Sequence, residues 1–291
     1  MTLPSWLSRK APPRKTPPGK TPAGKTPAGK TPDSPGRAGN PGGLSPTRVL
    51  FTTHRYPVYY LAITKCGCTF LKNLFWQLDH GEPHPDADNI HRYEDGIPRA
   101  TDRSVEDIHA SAHAFVVIRD PVDRFLSLYF DKIWGDGPQA FDALRLDLAR
   151  SEGIALDRGL DAAGHRRNAK LLIDWLERNL RGETARPPNP HWRPQSQRLW
   201  HARRLKLRQL TLDGLDWQLP RLLGDIIPDI QARMDAVKAR NRTPRPVGRD
   251  DLADPALVEA VNRVYAADRR AYDRQSAIWA RQRRSRTERK A

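Results

Sequence analysis

The stretch from Val58 to Leu78 constrains this chain most. Val58-Tyr59-Tyr60-Leu61-Ala62-Ile63 is a short, unbroken apolar run containing aromatic and β-branched residues. Such a run predicts a strand buried in the middle of a sheet. Thr64-Lys65-Cys66-Gly67-Cys68-Thr69 follows, and then Phe70 to Leu78 carries apolar residues at 71, 74, 75 and 78, the spacing of a helix face. The segment is therefore expected to be strand, tight loop and helix.

The loop has small residues, and Gly67 permits a close backbone approach. The first turn of the helix offers N–H groups without intrahelical partners and the positive end of the helix dipole. Lys65 stands at the mouth and Thr69 carries a hydroxyl. Read from these residues alone, the segment is either a phosphate or sulfate cradle or an ordinary strand-to-helix turn with a solvated lysine.

A second segment has the same form. Ala114-Phe115-Val116-Val117-Ile118 predicts another buried strand, and it runs into Arg119-Asp120-Pro121. Asp120 suits an N-cap and Pro121 a first helical position. The helix expected from Val122 to Lys132 has an apolar face through Phe125, Leu128 and Tyr129. Asp120, Arg124, Ser127 and Asp131 lie on the opposite stripe. Arg119 and Ser127 could converge on one anion, but read from this segment alone the structural alternative prevails, with Arg119 paired to a surface carboxylate and Ser127 neutral on the helix surface.

Further along, helical spacing covers Asn168 to Leu180, Asp229 to Arg240 and Ala256 to Trp279. Lys206 to Leu212 predicts a third strand, followed by a helix from about Gly214. Strands alternating with helices predict an α/β fold, a P-loop-like parallel sheet with helices on both faces. Ligands of such sheets bind at the carboxyl ends of the strands, where Lys65 and Arg119 both fall.

Charge divides the chain. The net charge of +16 comes from 50 Lys and Arg against 34 Asp and Glu, but residues 1–47 hold +7 of it and residues 281–291 hold +5, leaving +4 for the middle. Residues 1–47 also contain 11 of the 26 prolines. They are expected to form a disordered basic arm, with a globular domain over residues 48–280 and a basic tail over residues 281–291. The arm repeats Gly-Lys-Thr-Pro, so Gly24 to Thr31 fits the G-x-x-x-x-G-K-[ST] phosphate-loop pattern. No strand precedes that match and no helix follows it, so it is not expected to bind nucleotide. The tails are available to anionic surfaces, and no dedicated nucleic-acid function is expected.

Only two cysteines occur, Cys66 and Cys68, too close together for a long-range staple. They read as small loop residues of a protein in a reducing compartment. No run of 18 apolar residues and no export signal is present, so no transmembrane segment is expected and the location is read as cytoplasmic. No ligand spacing for a metal stands out.

The two strand–loop–helix segments together resemble the sulfotransferases, most closely the carbohydrate sulfotransferase group called sulfotransferase family 2. The family's first loop reads P-K-V-G-C-T-x-W-K, against Thr64-Lys65-Cys66-Gly67-Cys68-Thr69-Phe70-Leu71-Lys72 here. Its second element reads R-D-P-x-x-R-x-x-S-x-Y, matched by Arg119, Asp120, Pro121, Arg124, Ser127 and Tyr129. Asn189 to Gln195 is similar to its H-W-x-P-Q segment. Asn241-Arg242-Thr243 is similar to its N-[KR]-[ST] loop, and Tyr265 to Asp268 to its Y-x-x-D helix. The departures from that pattern include Thr64, for proline, and Leu71, for tryptophan.

The resemblance implies a sulfotransferase that moves a sulfuryl group from 3′-phosphoadenosine 5′-phosphosulfate to a hydroxyl of a carbohydrate or another acceptor, without a metal. It implies that Lys65, Cys66, Gly67, Cys68 and Thr69 hold the 5′-phosphosulfate, and that Arg119 and Ser127 hold the 3′-phosphate. Negative charge grows on the bridging oxygen during transfer, so a positioned cation is needed, and Lys65 is the candidate. An acceptor hydroxyl must lose a proton. Of nine histidines, His191 is the best-placed base, with a turn-capping role as its alternative; His109, His113 and His54 are weaker candidates. Trp134, Trp192 and Trp200 suggest a ring-bearing acceptor, bound by loops around residues 80–110 and 133–165. The competing readings are a P-loop nucleotide kinase or NTPase, and a nonenzymatic protein that binds nucleic acid or other anions.

Overall fold

The computed structural model describes residues 46–137, 140–238 and 246–288. Almost all of the expected arm, its Gly-Lys-Thr-Pro repeat, the Asn241-Arg242-Thr243 motif and the last three residues of the tail lie outside the described residues.

Four strands form one sheet in the order β1 (Leu50–Phe51), β2 (Tyr59–Leu61), β3 (Ala114–Ile118) and β4 (Arg208–Thr211). β2, β3 and β4 run parallel, with Tyr60 opposite Phe115 and Val117 opposite Leu210. β1 is antiparallel to β2 and pairs Leu50 with Leu61. At two residues it is too short to leave a sequence pattern. The three parallel strands are the ones expected from the sequence, and the fold is α/β.

Alternate strand residues point to opposite faces of the sheet. Tyr60, Phe115, Val117 and Leu210 pack against the helices α1 (Cys68–His80), α7 (Leu215–Leu223) and α8 (Ile230–Lys238). Tyr60 and Phe115 stack at 5.2 Å between ring centroids, a pairing that typically adds about 0.5–1.5 kcal/mol beyond burial. Leu61, Ala114, Val116 and Ile118 face α2 (Val105–Ala110), α6 (Gln195–Arg204) and α11 (Ala266–Glu288). A separate apolar core joins α3 (Pro121–Leu128), α4 (Asp142–Ser151), α5 (Ala162–Leu180), α9 (Arg249–Leu252) and α10 (Pro255–Val264).

Two helices depart from the expected pattern. The one expected over Val122–Lys132 is α-helical only to Leu128 and then widens into a π-helical turn over Tyr129–Trp134. Gly135 N–H donates to Phe130 O at 3.0 Å and closes that turn. The single helix expected over Ala256–Trp279 is two, broken at Tyr265 (φ −110°, ψ 35°). Tyr265 is held there because its hydroxyl donates to Trp192 O at 2.9 Å. α11 continues to Glu288 and carries Arg281, Arg283 and Arg284. Among the described residues no helix is long and apolar enough to cross a membrane.

Candidate active site

The β2–α1 loop takes the conformation its glycine foretells. Gly67 has φ +78°, and an added Cβ would sit 2.7 Å from Leu212 Cδ1. Lys65 is also left-handed, at φ +66°, a conformation that a non-glycine residue keeps only when its surroundings hold it. The loop's first bond into α1 is Leu71 N–H to Gly67 O at 3.0 Å. No side chain caps the helix, so the N–H groups of Cys68, Thr69 and Phe70 have no hydrogen-bond partner among the described residues.

Arg119, at the end of the neighbouring parallel strand, donates from Nη1 to Lys65 O at 3.0 Å and so joins the two loops. Asp120 caps α3 by accepting from Val122 and Asp123 N–H at 2.8 and 3.1 Å, and Arg269 Nη1 holds its other oxygen at 2.6 Å. Arg124 is buried under the loop. Its Nε donates to Thr64 O at 3.1 Å and its Nη2 to His191 O at 3.2 Å. Ser127 lies one turn further along α3, also buried, and its hydroxyl makes no hydrogen bond among the described residues.

Gln195 ties the third motif to the first two. Its Oε1 accepts from Arg119 N–H at 2.9 Å and from Cys66 Sγ at 3.0 Å, and its Nε2 donates to Arg119 O at 2.9 Å. Buried Asp268 caps α6 by accepting from Gln195 and Ser196 N–H at 2.7 and 2.8 Å. Tyr265 and Asp268 therefore clamp the Trp192–Ser196 segment from the break between α10 and α11. Thr64, where the family pattern has proline, donates its hydroxyl to Pro190 O at 2.5 Å. Leu71, where the pattern has tryptophan, is a core residue.

The π-helical turn places Asp131 against the loop. Lys65 Nζ and Lys132 Nζ both contact Asp131 Oδ2, at 2.7 and 3.0 Å. Burial lowers the Lys65 pKa, and Asp131 acts against that shift. Burial alone would raise the Asp131 carboxyl, but the two ammonium groups outweigh it and hold it below its ordinary range. His191 is pushed down to about 3 by burial and by the charges of Lys132 and Lys65. Its Nδ1 lies 2.7 Å from Asn189 Oδ1, an acceptor, so Nδ1 carries the proton and Nε2 keeps its lone pair. The Phe141 ring stands edge-on to the imidazole at 5.0 Å.

The structure thus brings Lys65, Gly67, Cys68, Thr69, Arg119 and His191 to one end of the parallel strands, with Ser127 on the helix that follows Arg119. Cys66 turns away: its thiol is bonded to Gln195 and pushed up to about 12 by burial, and its N–H donates to Ile63 O at 3.2 Å. The suggested aromatic lining also changes. Trp134 and Trp192 are core residues whose Nε1 groups donate to Asp157 O at 3.1 Å and Asn179 Oδ1 at 2.6 Å. Trp200 is 57% exposed but stands on α6 near Arg204. His109 and His113 bond Arg204 O and Asp225, away from the loops.

Lys132 and His91 are site residues that the sequence does not single out, and Asp131 is legible there only as a member of the polar stripe of its helix. His91, in a 3₁₀ turn over Ala87–Arg92, sits 2.9 Å from Thr69 Oγ1 and 3.8 Å from Cys68 Sγ. Burial raises the Cys68 thiol, yet His91 and Lys72 outweigh it and bring it to about 7. Among the described residues no three His, Cys, Asp or Glu side chains gather as metal ligands.

No curated protein and no solved structure matches the chain. A family model described as the sulfotransferase family matches residues 48–209, a span that holds the Lys65 loop, the Arg119–Ser127 element and the segment from Asn189 to Gln195. Since the same three elements meet at the carboxyl end of the parallel strands, the chain belongs to the sulfotransferase family, and its activity is sulfuryl transfer.

Proposed function

We propose that the protein transfers a sulfuryl group from 3′-phosphoadenosine 5′-phosphosulfate to a carbohydrate hydroxyl. The observation that supports this reading is the 3.0 Å bond from Arg119 Nη1 to Lys65 O, which joins the loop after β2 to the element after β3. The donor carries two anionic groups, and the residues present fit both. The uncommitted N–H groups of Cys68, Thr69 and Phe70, with Lys65, suit the 5′-phosphosulfate. Arg119 and Ser127 suit the 3′-phosphate.

Bound there, the nucleotide supplies the sulfuryl group on a phosphate leaving group. Lys65 neutralises the charge that develops on the bridging oxygen, in a half-buried site where that charge is poorly screened. Asp131 keeps the ammonium on the loop side. His191 Nε2 accepts the acceptor's hydroxyl proton. Burial depresses the basicity of His191 most and the Lys132 and Lys65 charges add to that; an anionic donor would neutralise the charges and so relieve their share. Phe141, with the Lys132 ammonium 5.4 Å from its ring, offers an aromatic face beside His191 that suits a sugar ring.

Calorimetric titration with 3′-phosphoadenosine 5′-phosphate and with ATP tests the donor. Tight binding of the first and weak binding of the second are expected. The reverse order would replace this reading by a nucleotide kinase or NTPase.

A further inference from the structure

The β2–α1 loop has a polar support behind it that the reaction scheme above leaves unused. Lys72, one turn along α1 from Thr69 and only 4% exposed, directs its ammonium at Glu94 Oε1 and at His91 Nδ1, the latter at 2.7 Å. Arg99 Nη2 holds the other Glu94 oxygen at 2.7 Å and stacks 3.5 Å over the Phe51 ring. Asn73 Nδ2 donates to Ala87 O at 2.9 Å and fastens the His91 turn to α1.

The contacts determine which ring nitrogen carries the proton. The Cys68 thiol and Glu94 favour a charged imidazole and raise its titration. An ammonium 2.7 Å from Nδ1, however, requires a lone pair on that nitrogen. The direct contact decides, so the resting ring is neutral with its proton on Nε2. Nε2–H then donates to Thr69 Oγ1 at 2.9 Å, the nearer of its two neighbours, with the Cys68 sulfur at 3.8 Å. A hydroxyl that accepts this bond has its own proton left for another acceptor.

We propose that Glu94, Lys72 and His91 form a directional hydrogen-bond relay that presents the Thr69 hydroxyl as a donor to the nucleotide's 5′-phosphate, with His91 as the positioning residue. The proposal rests on the reading of Thr69 as part of the donor cradle. Each bond in the relay points one way: Lys72 is anchored by Glu94 and donates to His91, His91 donates to Thr69, and Thr69 donates to the phosphate. The 3₁₀ turn, which lies in a region expected to bind acceptor, thereby serves the donor.

Calorimetric titration of the full chain with 3′-phosphoadenosine 5′-phosphate tests the relay through two near-isosteric variants. His91→Asn keeps an oxygen for Lys72 but brings no donor to Thr69, and it should bind about tenfold more weakly. His91→Gln carries an amide N–H to the depth of Nε2 and should stay within about threefold of wild type. In a Thr69→Val background, His91→Asn should cost nothing further. A residue that only docked the turn would weaken binding equally in both variants, or additively with Thr69→Val, and either result overturns the relay. Wild-type affinity in His91→Asn overturns it as well, while the donor reading stands. Absence of binding by the wild-type chain overturns the donor reading, and the relay with it.

Discussion

Lys65 and Asp131 are joined by a 2.7 Å ion pair across the site, one from the loop after the first parallel strand and the other from a π-helical turn 66 residues later. A π turn inserted at the end of an α-helix shifts the side chains that follow, and such insertions occur frequently at functional sites. Here it sets Asp131 and Lys132 beside the loop, so that the acid supports one cation while a second stands 3.0 Å away.

Removing the Lys65 charge should lower kcat by about 100-fold or more, with the thermal melt unchanged, because a single positioned charge on a leaving group is worth that much. Burial already places the Lys65 pKa below an ordinary lysine's, and Asp131 acts against that shift. Asp131→Asn removes the opposing charge, so the alkaline limb of the pH–rate profile should move to lower pH. A limb that stays in place would show that Asp131 does not govern Lys65.

His191 titrates at about 3 and is therefore neutral through the physiological range. kcat/KM for the nucleotide reports the free protein, so its profile should show no acid limb from this residue between pH 5 and 7. His191→Ala should lower kcat by about 10²–10⁴-fold, the usual contribution of a general base. A wild-type limb near 6.5 that disappears in His191→Ala would show that the imidazole is exposed to solvent.

Ser127→Ala should weaken 3′-phosphoadenosine 5′-phosphate by up to about tenfold and leave adenosine 5′-phosphate unchanged, through one lost neutral hydrogen bond. Arg119→Ala should weaken both nucleotides, because the same side chain braces Lys65 O. It should weaken the 3′-phosphorylated one more, since a charge-assisted bond is worth about 1.5–3 kcal/mol. Calorimetry on the two nucleotides separates these effects; equal weakening of both by Ser127→Ala would remove that residue from the 3′-phosphate site.

Gly67→Ala should cost about 1–3 kcal/mol in urea unfolding and should weaken nucleotide binding, because the new Cβ meets Leu212 as well as an unfavourable φ. Gly81 has the same handedness, φ +81°, with open space around it. Gly81→Ala should cost less and leave binding unchanged. Equal costs would mean that Leu212 moves aside freely.

What the sequence determined by itself is local. The apolar runs at Tyr59–Leu61 and Ala114–Ile118 form strands because nothing but burial suits them, and Asp120-Pro121 starts a helix through its own cap. Lys65, Gly67, Thr69 and Arg119 were legible because a strand that ends in a helix fixes where its loop residues stand. What the tertiary structure decided depends on groups brought together from far apart in the chain. Gln195 bonds Arg119 and Cys66 across 76 and 129 residues, and this turned Cys66 from a loop ligand into a core thiol. Trp192 looked like lining for a ring and is core instead, because Asn179 satisfies its indole N–H inside the second apolar cluster. His91 has no periodicity or motif around it. Its part in the site exists only where the 3₁₀ turn packs on α1, since a hydrogen bond between distant residues leaves no spacing in the chain to read.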